Sequence, residues 1–300
     1  MDRLDLLKKQ LNTLCPGMDV RVGEHMGRHT SFHIGGPVAL MALPATREEA
    51  VLCVRTAAEL GVEPFFMGNG SNLLVADRGV DRFIVKTANL RQCETEGNTI
   101  TADSGVTLAR LAVFAREQGL TGLEFAHGIP GTLGGAVTMN AGAYGGEMAQ
   151  VVHQVTVLTK DGEVETLYSF DFGYRRSAFS DGSRMILGAK LELVPGNREQ
   201  IAARMEELAV QRQSKQPLEY PSAGSMFKRP EGYFAAALID QCGLKGFTVG
   251  GAQVSEKHAG FVVNRGGATC ADVLSLVEQV KRRVLDATGV TLEMEVKVLG

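Results

Sequence analysis

Gly128-Ile129-Pro130-Gly131-Thr132-Leu133-Gly134-Gly135-Ala136-Val137, followed by Asn140-Ala141-Gly142-Ala143-Tyr144-Gly145-Gly146, is too poor in side chains to build a core of its own. Glycine at this density makes sense where a flat or elongated ligand lies against the main chain, because a Cβ would stand in its way. A shorter cluster precedes it: Phe66-Met67-Gly68-Asn69-Gly70-Ser71-Asn72-Leu73-Leu74. There an apolar run enters a polar glycine turn and leaves into apolar residues. Glycine lets backbone N–H groups converge on one spot, and the Asn and Ser side chains add donors, a cradle suited to a pyrophosphate. A plain tight turn between two strands is the other reading of these residues. Neither cluster has the GxGxxG spacing after a strand or the GxxxxGK[ST] spacing, so neither a Rossmann site nor a P-loop is supported.

The rest of the composition is that of a globular chain. Of 300 residues, 44% are hydrophobic and 22% charged, with 36 glycines as the one excess, against a usual ~7%. A chain this long buries roughly 75% of its unfolded surface and needs no disulfide or metal to hold it. The net charge is −3, with no basic block or acidic tail, so neither a nucleic-acid backbone nor a membrane surface is an expected partner. MDRLDLLKKQL lacks the apolar run of a signal peptide, and no stretch is apolar enough to span a bilayer. A soluble, cytoplasmic protein is expected. Cys15, Cys53, Cys93, Cys242 and Cys270 form no CxxC pair and are odd in number, the pattern of free, mostly buried thiols.

Helical periodicity predicts four amphipathic helices: from Thr46 to Leu60 with Thr46 and Glu49 at capping-box spacing, from Thr107 to Gln118, from Asn197 toward Arg212, and from Ala271 to Ala287. Between them, β-rich runs lie at 65–67, 73–75, 83–86, 151–158, 185–193, 261–263 and 292–299, and Asp161-Gly162 signals a hairpin. Strands and helices mix without regular βαβ alternation, which predicts an α+β fold. Pro195-Gly196-Asn197 is the natural boundary between a larger N-terminal and a smaller C-terminal part.

Taken together, the glycine clusters and several separated motifs resemble the UDP-N-acetylenolpyruvoylglucosamine reductase family, also called UDP-N-acetylmuramate dehydrogenases. Thr30-Ser31-Phe32-His33-Ile34-Gly35-Gly36-Pro37 is similar to its opening TSFxIGGP segment, and GNGSNLL and GIPGTLGGAVTMNAGAYGGE to its FAD-contacting stretches. Phe172 to Phe179 looks like its YRxSxF motif and Pro221 to Pro230 like its AGSxFK motif. Leu244-Lys245-Gly246, Gln253 to Phe261 and Leu292 to Val296 also belong to the pattern, which covers the chain from about residue 22 onward. The length resembles the shorter subtype, without an extra tyrosine loop over the substrate.

The resemblance implies a two-lobed FAD-binding unit of the vanillyl-alcohol-oxidase/PCMH type (1–86 and 87–196). It implies a substrate-binding α+β domain (197–300) whose last strand returns to the active site. It further implies a monomer that takes NADPH and UDP-N-acetylglucosamine-enolpyruvate, with FAD held by Gly68, Asn69, Gly70, Ser71, Asn72, Gly128, Ile129, Pro130, Gly131, Gly134, Gly135 and Ala136. Relatives that attach FAD covalently use a histidine; the first cradle offers Asn69 and Ser71 instead, so FAD is expected to be non-covalent. NADPH would reduce FAD, hydride would pass from flavin N5 to the terminal carbon of the enolpyruvyl ether, and a proton would be added at the neighbouring carbon. Such a reaction pushes charge onto the conjugated carboxylate and needs a cation there and an acid near the α-carbon. At motif positions Arg175 would hold the carboxylate, Ser225 would deliver the proton and Glu295 would help stabilise the intermediate. Lys215 or Lys228 would assist Ser225, and Tyr174, Lys215 and Lys228 would bind substrate. The Gln253–His258 stretch is a further candidate for UDP contacts, and Arg229 stands where many relatives carry asparagine.

Each of these residues also has a plain reading. Arg175-Arg176 suits a solvated basic pair, Ser225 a loop serine, and Glu293, Glu295 and Lys297 the wet face of a strand. His25, His29 and His33 recur every fourth residue as ligands on a helix would, but Gly27 interrupts that helix and no metal is expected. Two other functions stay open: a different flavin oxidoreductase on the same fold, and a non-catalytic flavin- or nucleotide-binding protein.

Overall fold

The computed structural model describes residues 2–300 as two compact units whose segments interleave along the chain. The first comprises the chain up to Val22, Ala39–Asn69 and Arg82–Gln211; the second comprises Gly23–Val38, Gly70–Asp81 and Arg212–Gly300.

Five helices start in the first unit: α1 Arg3–Leu14, α2 Arg47–Glu59, α3 Leu108–Glu117, α4 Leu133–Thr138 and α5 Arg198–Lys215. Helix α2 begins as its spacing predicts. Thr46 Oγ1 accepts from the Glu49 N–H at 3.1 Å, and Glu49 Oε2 accepts from the Ala45 N–H at 2.7 Å. Thr107 caps α3 in the same way, while α5 runs one turn beyond the expected Arg212. One sheet has the order Asp19–His25, Pro37–Leu43, Val80–Lys86, Pro64–Met67. It covers a core of Leu7, Leu11, Val54, Phe83 and their neighbours under α1 and α2. A five-stranded antiparallel sheet runs Val164–Leu167, Val152–Thr159, Arg184–Glu192, Thr99–Asp103, Cys93–Glu96. Its hairpin turns at the predicted Asp161-Gly162. Between this sheet and α3, α4 and the start of α5 lies the largest core, including Leu111, Leu133, Val155 and Leu191.

The second unit holds α6 Ala235–Gln241 and α7 Cys270–Thr288, with an antiparallel sheet of order Ser222–Ser225, Phe261–Asn264, Ala252–Val254, Thr248–Val249. Phe32, Ile34 and Leu74 from its two earlier segments are buried in the same core as Val273, Val277 and Val280 of α7. The start of α7 is fully bonded. Asp77 accepts from the N–H groups of Cys270 (2.7 Å) and Ala271 (3.1 Å), and Thr269 and Asp272 form a reciprocal capping box. Replacing one cap acceptor typically costs about 1 kcal/mol, so Asp77→Ala, which frees two N–H groups, should cost about 1–2 kcal/mol. A lower urea midpoint with an unchanged m-value is the expected reading.

The expected strand at 292–299 is cut short. Only Lys297–Leu299 is a strand, parallel to Leu73–Val75, and Met294 makes a single bridge to Phe227. The chain changes partner partway: the Glu295 N–H donates to the Met226 carbonyl, then the Lys297 N–H donates to the Asn72 carbonyl. No ladder can run through that change. The cysteines are free, but only Cys53 and Cys270 are fully buried. Burial pushes the Cys93 and Cys270 thiols up to about 11, which leaves them without thiolate character at neutral pH. Among the described residues no helix is long and apolar enough to cross a membrane.

Candidate active site

Within the first unit the two glycine clusters meet. A Cβ on Gly68 would stand 2.3 Å from Thr132 Oγ1, and one on Gly134 would stand 2.9 Å from the Ser104 Cβ. Helix α4 has only six residues, two of them glycine, yet it is held from its first turn by tertiary bonds. The Leu133 N–H donates to the Val106 carbonyl at 2.8 Å, and the Gly134 N–H to the Ser104 carbonyl at 2.9 Å. Its buried side is Leu133, Gly134, Ala136 and Val137, whereas Gly128, Pro130 and Gly135 are exposed. Ile129, Gly131 and Asn69 are half-buried. The exposed positions of the segment 128–137 are thus glycine and proline. Ser104 and Thr132 carry fully buried hydroxyls with no hydrogen-bond partner among the described residues. Thr132 lies within the quoted segment, but nothing in the sequence signals Ser104.

The chain passes into the second unit between Asn69 and Gly70. Gly70 is left-handed at φ 63°, and its carbonyl accepts from the Ser31 N–H at 3.3 Å. Asn72 Nδ2 donates to the Glu295 carbonyl at 3.2 Å, while Ser71 is half-buried.

Tyr174 and Arg175 form a tight turn in the first unit. The Arg176 N–H donates to the Gly173 carbonyl at 3.3 Å, and the Gly173 N–H to the Arg176 carbonyl at 3.0 Å. Arg175 sits at φ 54°, in the place where such a turn usually takes glycine. Its guanidinium reaches the Gly142 carbonyl with both terminal nitrogens at 3.2 Å. Its Cζ lies 5.4 Å from the centre of the Tyr174 ring, and Tyr174 is 56% exposed. Arg176 points elsewhere, to Asp171 at 3.2 Å.

Ser225 and Glu295 belong to the second unit, where they are brought onto adjacent backbone. Ser225 ends a strand after the left-handed Gly224, and the next residue's carbonyl accepts from the Glu295 N–H at 2.9 Å. Both side chains are half-buried. Lys228 is already engaged, its Nζ paired with Glu293, a residue read above only as strand surface. Lys215 is exposed in the last turn of α5. In the Gln253–His258 stretch, His258 Nδ1 accepts from the Gly260 N–H at 3.2 Å. Burial holds that imidazole below its ordinary pKa, with a smaller push from the Lys245 cation. His29 pairs with Glu24 at 2.8 Å, His33 is exposed at φ 55°, and no three ligand-type side chains converge among the described residues.

Residues 38–168 match the family described as FAD binding domain, and residues 216–299 match the C-terminal domain of UDP-N-acetylenolpyruvoylglucosamine reductase. The UDP-N-acetylenolpyruvoylglucosamine reductase of Caldanaerobacter subterraneus is 45% identical over 298 residues, 99% of each chain. The chain belongs to the UDP-N-acetylenolpyruvoylglucosamine reductase family. The reductase of Geobacillus kaustophilus is 44% identical over 302 residues, covering 100% of this chain and 99% of its own. The crystal structure of the Thermus caldophilus reductase superposes with a TM-score of 0.80 at 36% identity, covering 94% of this chain and 99% of that one. A variant of Phl p 4, a glucose oxidase, shares the fold alone, with a TM-score of 0.50 at 14% identity over 76% of this chain and 52% of its own. The architecture is therefore α+β, a PCMH-type FAD-binding part followed by the reductase C-terminal domain. Reductases of this family are FAD-dependent oxidoreductases that use NADPH. The glycine segments are compatible with FAD: Gly128, Pro130 and Gly135 are exposed, and Gly68 lies so close to Thr132 that a Cβ there would stand 2.3 Å from its hydroxyl.

Proposed function

We propose that this chain reduces the enolpyruvyl group of UDP-N-acetylglucosamine-enolpyruvate to give UDP-N-acetylmuramate, an NADPH-dependent step in peptidoglycan precursor synthesis in the cytoplasm. FAD, when bound, supplies the hydride. Gly68, Asn69, Gly70, Ser71 and Asn72 would hold it with residues 128–131 and 134–136, non-covalently, since the first cradle has no histidine. Arg175 holds and polarises the substrate carboxylate; its permanently charged fork suits that task. Ser225 delivers the proton at the α-carbon, and Glu295 steadies the charge that builds there. The observation that carries the assignment is the bond from the Glu295 N–H to the Met226 carbonyl, which sets residue 295 beside the Ser225 strand across a long stretch of sequence. Tyr174 and Lys215 are substrate contacts; Lys228 serves only if the substrate diphosphate draws it from Glu293. The division into lobes 1–86 and 87–196 and a substrate domain 197–300 is supported by a sheet within each part, with residues 23–38 and 70–81 of the first lobe grouping with the substrate domain.

The test is anaerobic mixing followed in the flavin absorbance band. NADPH should bleach the purified yellow protein, and UDP-N-acetylglucosamine-enolpyruvate should restore the colour. Bleaching without recovery would keep the flavoprotein and overturn the substrate. A colourless protein that takes up no FAD would overturn the reading from the glycine clusters onward.

A further inference from the structure

The turn that carries Arg175 is held in an unfavourable backbone conformation, and one buried side chain bonds directly to it. Asn140 is 2% exposed, itself left-handed at φ 42°, and bonded at both ends of its amide. Its Nδ2 donates to the Gly173 carbonyl at 3.2 Å, the same oxygen that closes the Tyr174–Arg175 turn. Its Oδ1 accepts from the Ala149 N–H at 2.9 Å. Around it, Ser177 and Ser180 donate to the Thr138 carbonyl at 2.8 and 3.1 Å, and Arg175 itself reaches Gly142. Left-handed geometry at Arg175 costs energy for any residue with a Cβ and persists only where neighbours over-determine it. Asn140 ties that turn to the glycine segment from inside, with a bond that neither glycine nor alanine could supply.

We infer that Asn140 is the positioning residue for Arg175: its amide pins the Gly173 carbonyl, fixes the turn, and so sets where the guanidinium stands. The inference rests on the proposed role of Arg175 at the substrate carboxylate. Asn140→Asp keeps the acceptor for Ala149 and tolerates left-handed φ, but loses the donor to Gly173. In the FAD-loaded protein, hydrogen exchange across residues 170–180 should quicken. Reduction by NADPH should stay nearly unchanged. Reoxidation by UDP-N-acetylglucosamine-enolpyruvate should slow by roughly 10–100-fold, the scale of a misplaced contact. In an Arg175→Lys background the same change should add little, because the two residues act as one unit. Unchanged exchange at the turn overturns the inference, and so does an equal loss in both half-reactions. Faster exchange with an unaltered substrate step, matched by a silent Arg175→Ala, leaves Asn140 as the buttress and sinks the role given to Arg175. Should the aspartate variant not fold, Asn140→Gly, which accepts φ 42° without strain, permits the same measurements.

Discussion

Ser225→Ala should leave reduction of the flavin by NADPH nearly intact and slow its reoxidation by the enolpyruvyl substrate by about 10²–10⁴-fold, the usual contribution of a positioned proton donor. The variant should fold as the parent does. Ser225 is the last residue of a short strand and half-buried, so an alanine methyl occupies the same space. The left-handed turn before it is made by Gly224 at φ 79°, which the substitution does not touch. The strand's bonds, from the Met226 N–H to Gly260 and from Glu295 to the Met226 carbonyl, are main chain and survive. Rapid mixing of each half-reaction separately is the measurement. Equal slowing of both steps would remove Ser225 from proton delivery, because only the second step requires a proton on carbon.

Gly36→Ala should destabilise the second unit by about 3 kcal/mol or more, at the upper end for overpacking. A Cβ there would lie 2.2 Å from the Asp77 carbonyl oxygen and 2.5 Å from the Gly79 nitrogen, both backbone atoms in a loop that must also deliver Asp77 to α7. The Gly36 N–H donates to the Ala76 carbonyl at 3.0 Å, and its own carbonyl accepts from Met26 at 3.0 Å, so the segment cannot retreat without breaking them. The φ of Gly36 is ordinary; it is the close approach that requires glycine. A urea melt or soluble yield reports the loss, and a variant as stable as the parent would show that the loop can shift cheaply. Gly17→Ala, at a position with no neighbour within 4 Å of the added atom, is the control.

Local signals were legible in the sequence. Thr46, Glu49 and Thr107 announce helix starts because cap and partner lie within one turn. Asp161-Gly162 announces its hairpin for the same reason. That the two glycine clusters touch each other could not be read from the sequence, since Gly68 and Thr132 meet only through the fold. Helix α4 escaped notice because two glycines in six residues oppose helix propensity, and bonds to Val106 and Ser104 hold it regardless. The run at 292–299 has a strand's alternation, but alternation does not reveal a change of partner. The left-handed backbone of Arg175 and the amide that braces it left no trace in the order of residues.

The pairing of Lys297–Leu299 with Leu73–Val75 also sets a timetable for synthesis. Leu74, fully buried in the finished core, leaves the ribosome long before its strand partner exists. At ~5–20 residues per second the wait is on the order of ten seconds or more. Throughout it, an apolar strand with unpaired edges must stay soluble, and α7 lies too far ahead to be capped by Asp77. The second unit therefore completes itself late, and a fragment cut to residues 216–299 would lack Phe32, Ile34, Leu74 and the aspartate that starts its longest helix.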